Sequence, residues 1–290
     1  MGDIRAEDLI DLSHGRAAHC AAHLPINATS SWLNEVQSQC RMGNLDPIQI
    51  QEDWLQHAPV WFTSSTLNSI QGLDSFPHVE ACMGVNHFID NLLLKHGIDH
   101  VQVLEFDYTY YWRLRPNLVP CTLGNLDAAK PLLISMPFAG LFDVHPCMPD
   151  ILDECADKNI PVHVDSAWLS AARDIYFDYD HPAIQSVAMS LSKGMNLWWN
   201  RIGIRWSRQL DATDSISIYN QFHMVPAGLM QVGLHYIHRV PPDHLWKLYE
   251  QRYNEICRAL YLRPTKYVHV AQSMDRSKLY GLKKLLEQFR

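Results

Sequence analysis

Between residues 84 and 206 short apolar runs alternate with amphipathic stretches, and this alternation restricts the possible folds more than any other feature. Gly84-Val-Asn-His-Phe-Ile-Asp-Asn-Leu-Leu-Leu-Lys-His-Gly97 gathers Phe88, Ile89, Leu92 and Leu93 on one face and closes on a glycine, which predicts a helix. Residues 101–105 and 132–136 read as strands, and a helix is expected near Met148–Asp157. Ile160-Pro-Val-His-Val-Asp165 is a further strand, with Pro161 near its start where a missing donor is tolerated. Residues 186–190 and 201–206 complete the series. Strand and helix in alternation mean a largely parallel sheet, because parallel neighbours need a crossover long enough to hold a helix. The expected class is α/β: a three-layer α/β/α major domain with a mostly parallel mixed sheet, plus a small C-terminal α+β domain. Residues 1–45 read as an N-terminal arm broken at Pro25 and Gly43, and residues 46–208 as the large domain. Residues 209–290 read as closing helices and the small domain, with a helix over 241–262, a strand at 267–270 and a last helix over 273–289.

Bulk properties narrow the function. With 47% hydrophobic and 19% charged residues among 290, the chain has material for a substantial core. A net charge of -7 without a long Lys or Arg run argues against a nucleic-acid partner. No apolar run reaches the ~18 residues of a membrane span. The opening Met-Gly-Asp-Ile-Arg-Ala-Glu-Asp lacks the basic and then apolar order of a secretion signal. Seven scattered cysteines without a C-x-x-C read as reduced thiols. The expectation is a cytoplasmic protein with no membrane association. His19 and His23 stand at i, i+4 near His14 and Cys20, but no further ligand completes a pattern and Pro25 ends any helix there. No metal is expected.

In such sheets ligands collect beyond the carboxyl ends of the strands. Asp165 stands at one such end, and Ser190-Leu-Ser-Lys193 at another. A lysine amine with a depressed pKa forms imines with carbonyls, and a carboxylate beside a pyridine ring keeps the ring nitrogen protonated. Hydroxyl, backbone N–H and guanidinium groups bind phosphate; Ser190, the helix start at Gly84 and Arg201 offer one of each.

These residues resemble the fold type I pyridoxal 5′-phosphate (PLP) enzymes, in particular the class I/II aminotransferases. The likeness rests on Asp165-Ser-Ala-Trp168, Ser190-Leu-Ser-Lys193 and Arg201-Ile-Gly-Ile-Arg205, with Arg201 eight residues past the lysine. Upstream, Cys82-Met-Gly84-Val85-Asn86 resembles the turn that faces the cofactor phosphate. Phe106-Asp-Tyr108-Thr-Tyr-Tyr111 resembles the segment that lays an aromatic ring on the cofactor. The resemblance implies PLP held by Lys193 as a Schiff base, with Asp165 on the pyridine nitrogen and Tyr108 stacked on the ring. Ser190, Arg201 and the Gly84, Val85, Asn86 turn would hold the phosphate, with Ser192 and Trp168 beside them. It implies a homodimer with shared active sites, acting on a small molecule that carries an amino group.

Two positions depart from the family. Where the family often has Asn-Pro-Thr-Gly this chain has Met136-Pro-Phe-Ala-Gly140, and Trp168 replaces a tyrosine, keeping an N–H donor but no phenol. The C-terminal arginine that commonly grips a substrate carboxylate has no clear counterpart, Arg263 and Arg276 being the candidates. Trp198 and Trp199 read equally as a substrate wall or a dimer contact. Many decarboxylases of this fold carry histidines where Tyr108 and Ser192 stand, so the resemblance favours transamination. A PLP-dependent decarboxylase or lyase is the alternative, and a catalytically inactive fold relative the third reading.

Overall fold

The computed structural model describes residues 4–12, 34–35, 38, 45–113, 115, 118–195, 197 and 200–288. His14, His19, Cys20, His23, Pro25, Gly43, Trp198 and Trp199 lie outside them. Strand β1 is Ile10–Asp11. Helix α1, Pro47–Thr63, begins where Asp46 accepts hydrogen bonds from the N–H groups of Ile48 (2.9 Å) and Gln49 (3.3 Å), with Pro47 at its first position. Strands β2 (Ser69–Gln71) and β3 (His78–Cys82) precede helix α2, Gly84–His96, which ends at Gly97 in a positive-φ conformation. Then come β4 (Gln102–Val103), the single turn α3 (Tyr110–Arg113), β5 (Leu132–Ser135) and α4 (Met148–Asp157). Strands β6 (Val162–Asp165), β7 (Tyr176–Asp178) and β8 (Ile184–Ser190) lead into the short turn α5 (Leu191–Gly194) and strand β9 (Gly203–Ser207). The remainder is α6 (Ser215–Gln221), α7 (Ala227–Ile237), α8 (His244–Ala259), β10 (Leu262–Pro264), β11 (Val270–Ser273), β12 (Leu279–Gly281) and α9 (Lys283–Glu287).

The main sheet has the order β3-β9-β8-β6-β5-β4. Strands β8, β6, β5 and β4 run parallel, and β9 runs antiparallel to both β8 and β3. Side chains alternate along each strand, so the two faces sort themselves by sequence. Val85, Phe88, Ile89 and Leu92 of α2 pack with Cys82, Val103, Leu133 and Ala188 on one face. Ile134, Val162, Val164, Val187, Met189 and Ile204 point to the other, under α1, α4, α7 and α8. The result is the expected α/β architecture, a mixed and mostly parallel sheet covered on both faces. The face under α2 also carries polar side chains. His163 and Asp165 alternate with Val162 and Val164, and Ser186 and Ser190 with Val187 and Met189.

A second, antiparallel sheet has the order β1-β12-β11-β10. Residues 10 and 11, within the stretch read as an arm, pair with Gly281 and Tyr280 of the same chain. The expected last helix over 273–289 is instead a β11–β12 hairpin followed by the short α9. Asp275 is the reason: its carboxylate accepts from Ser273 Oγ (2.6 Å) and from Ser277 N (3.0 Å) and Oγ (2.8 Å), and Arg276 adopts φ 63. These local bonds reverse the chain before a helix can start. The expected strand at 267–270 begins only at Val270.

Candidate active site

Adjacent parallel strands bring the two motifs together. Asp165 closes β6 opposite Ala188 of β8, so it lies beside Ser190, the last residue of β8. Turn α5 then carries Ser192 and Lys193 over the same edge. One crevice is lined by Val85, Asn86, Tyr108, Asp165, Trp168, Ser190, Ser192, Lys193 and Arg201. Gly84 stands just behind, where an added Cβ would come within 3.4 Å of both Ser192 Oγ and Arg201 Cβ. Its φ of +70 is a backbone angle that glycine takes without strain. All ten residues expected at the site thus meet at one place.

Lys193 Nζ lies 4.6 Å from the centroid of the Trp168 ring and 5.6 Å from that of Tyr108. An ammonium is attracted to both faces electrostatically. Asp165 is buried and accepts hydrogen bonds from Tyr111 Oη (3.0 Å) and the Ala167 N–H (2.9 Å). Burial raises its pKa, while the two donors and the nearby Lys193 charge pull it down.

At the other end of the crevice no side chain caps the start of α2. Arg201 donates to Asn86 Oδ1 at 2.9 Å and is held beside that helix start. Ser190 Oγ and Ser192 Oγ are buried and have no hydrogen-bond partner among the described residues. A buried hydroxyl left unpaired costs about 1–3 kcal/mol, so two in one crevice mark a place built for a polar guest. Two hydroxyls, a helix amino end and a guanidinium are a donor set for an anion with several oxygens. This donor set, with a lysine beyond it and a carboxylate at depth, fits PLP.

Three residues to which the motifs assign no role shape the site. Tyr111 orients Asp165, and burial beside that carboxylate raises its own phenol well above the usual range. Asp107 accepts from the Tyr108 N–H (2.7 Å), the Ser135 N–H (2.9 Å) and the Ser135 hydroxyl, tying Tyr108 to the end of β5. Burial pushes its carboxyl up to about 7 against those bonds. His269, in the turn between Tyr267 and β11, stacks on Trp168 with centroids 5.0 Å apart and planes 14° apart. Tyr267 lies 5.5 Å from Trp168 and 5.9 Å from His269. The three distances are nearly equal, so Tyr267 and His269 press side by side on Trp168 rather than forming a column. His269 is buried, neither ring nitrogen has a partner among the described residues, and burial with the Lys193 charge pushes its pKa down to about 3. The 136–140 stretch that departs from the family lies along an adjoining cavity, with Phe138, Ala139 and Gly140 on its wall. Arg263 and Arg276 are exposed and line neither space.

No protein-family model and no curated protein sequence matches the chain. Solved structures do. An aspartate aminotransferase tetra mutant from Thermus thermophilus, complexed with tryptophan, superposes with a TM-score of 0.64 at 13% identity, covering 97% of this chain and 91% of that one. The tyrosine aminotransferase of Leishmania infantum gives 0.61 at 12% identity, over 96% of this chain and 91% of its own. N-succinyldiaminopimelate aminotransferase from Mycobacterium tuberculosis gives 0.61 at 11%, over 88% and 75%. The chain therefore has the aminotransferase fold.

Proposed function

We propose that the chain is a PLP-dependent aminotransferase with Lys193 as the residue that holds the cofactor. The observation that carries this reading is the pair of unpartnered buried hydroxyls, Ser190 and Ser192, in the same crevice as Lys193, Asp165 and Arg201. The aminotransferase fold of the solved neighbours supports it. When bound, the cofactor would supply an aldehyde for an amino group and a ring that takes up an electron pair.

The chain's own residues would do the rest. Ser190, Ser192, Arg201 and the backbone from Gly84 to Asn86 would hold the phosphate. Asp165, oriented by Tyr111 and Ala167, would keep a proton on the ring nitrogen. Tyr108, fixed by Asp107, would cover one ring face and exclude water. Lys193 Nζ would carry the proton at the substrate carbon that bears nitrogen. The reading includes a cytoplasmic homodimer with shared sites. A gel-filtration mass of one 33.4 kDa chain with full activity would remove the dimer from it.

The test is spectroscopic. Purified protein is expected to take up PLP with a visible absorbance band that borohydride bleaches and that Lys193→Ala lacks. An amino donor is expected to convert the band to that of the amine form. Release of carbon dioxide without that conversion would replace transamination by decarboxylation, and no Lys193-dependent band would end the reading altogether.

A further inference from the structure

A second cavity, of about 720 Å³, opens against the same Tyr108 and Trp168 side chains that wall the Lys193 crevice. Its size is within the roughly 300–1,000 Å³ of small-molecule sites. Phe106, Trp112, Phe138, Leu141, Phe142 and Leu279 dominate its lining. Its ionisable side chains, among the described residues, are Glu105, Asp107, Tyr108 and His145, and no lysine or arginine joins them. Burial lowers the pKa of His145, which leaves that ring neutral near pH 7. Among the described residues the cations of the adjoining crevice are Lys193 and Arg201, and the cofactor would engage both.

We propose that this cavity takes the body of the amino donor, and that the donor is a bulky apolar amine, aromatic or branched, with no carboxylate on its amino-bearing carbon. The proposal rests on the aminotransferase reading and deepens it. A carboxylate on that carbon lies two bonds from nitrogen. With nitrogen at Lys193 it would face aromatic rings and the carboxyls of Glu105 and Asp107, with no lysine or arginine among the described lining residues to pair it. Charges are buried only when paired, and among the described residues the walls offer no spare cation. An amine meets the opposite conditions: Glu105 favours a cation on approach, and the apolar body removes ring surface from water. The transfer balances without an outside oxidant. The donor carbon loses its nitrogen and a hydrogen, gains oxygen from water, and leaves as an aldehyde or ketone. The nitrogen, a proton and an electron pair pass through the enzyme to an aldehyde or ketone acceptor, whose oxygen departs as water.

2-Phenylethylamine and phenylalanine share a ring and differ by one carboxylate, so calorimetric titration of the full chain with each, with and without PLP, reads the proposal. The amine is expected to bind at least ten-fold more tightly in both forms. Leu141 lines the cavity and is half-exposed, so Leu141→Arg introduces a cation there without opening the core, and it is expected to raise phenylalanine affinity at least five-fold. Equal affinity for the two probes, or tighter binding of phenylalanine to the unaltered chain, overturns the proposal. An unresponsive Leu141→Arg variant places the probes elsewhere and also overturns it. Loss of amine binding as the chain self-associates would give the face to a second copy, and the proposal would fall with it. Absence of a Lys193-dependent PLP band would instead sink the aminotransferase reading, so the two failures are distinct.

Discussion

Replacing His269 by phenylalanine tests how deeply the C-terminal segment has committed an ionisable ring to the core. His269→Phe keeps a flat ring against Trp168 and removes the only titratable group at that position. The native imidazole is pushed down to about 3, against 6.5 for the free group. Between those values the unfolded chain binds a proton that the folded chain refuses, so stability falls as pH falls through that window. Proton linkage at ~1.4 kcal/mol per pH unit makes this one residue responsible for about 2 kcal/mol of the loss between pH 7 and pH 5. Urea unfolding at both pH values measures it. The variant is expected to lose about 2 kcal/mol less than the unaltered protein over that interval, whatever its stability at pH 7. His163, buried and also pushed down to about 3, contributes equally to both proteins and cancels in the difference. Identical losses in the two proteins would show that His269 titrates normally, and would refute its burial as described.

Other substitutions probe separate parts of the fold and the site. Arg205 is buried between Glu80 and Asp214, so Arg205→Met strands two carboxylates and is expected to cost about 3–5 kcal/mol in urea unfolding. Tyr111→Phe removes the phenol from Asp165 and is expected to lower stability by about 1.5–3 kcal/mol and to weaken PLP uptake, measured by equilibrium dialysis, while the Lys193 band survives. An added methyl at Gly233 would come within 2.6 Å of the Trp54 ring where α1 and α7 cross. Gly233→Ala is therefore expected to cost about 1–3 kcal/mol in thermal or urea unfolding.

What the sequence made legible was short-range. Asp165, Ser190, Lys193 and Arg201 sit at strand ends, where apolar runs give way to polar residues, and the runs themselves show where the ends are. The boundaries of α4 and the glycine stop of α2 followed from local pattern. The roles of Tyr111, Asp107 and His269 were hidden because their partners lie far away along the chain: Tyr111 bonds to Asp165, Asp107 to Ser135, and His269 packs on Trp168. No periodicity signals a contact of that kind. A last helix was expected over 273–289, yet Asp275 and its serine partners form a turn first, a competition that hydrophobic spacing does not see. The chemistry of the large cavity was likewise out of view, since Phe106, Phe142 and Leu279 meet there from three distant segments.

The pairing of Ile10 with Gly281 sets an order of events at the ribosome. A chain grows at roughly 5–20 residues per second, so the first strand waits on the order of tens of seconds for its neighbour to be made. Only late in that time can the lysine turn rest on its sheet, and the ring of Trp168 then still faces water because Tyr267 and His269 have not yet been added. A nascent chain would therefore expose sticky aromatic surface until its final few dozen residues arrive, and chaperone occupancy during translation should peak just before residue 267 emerges.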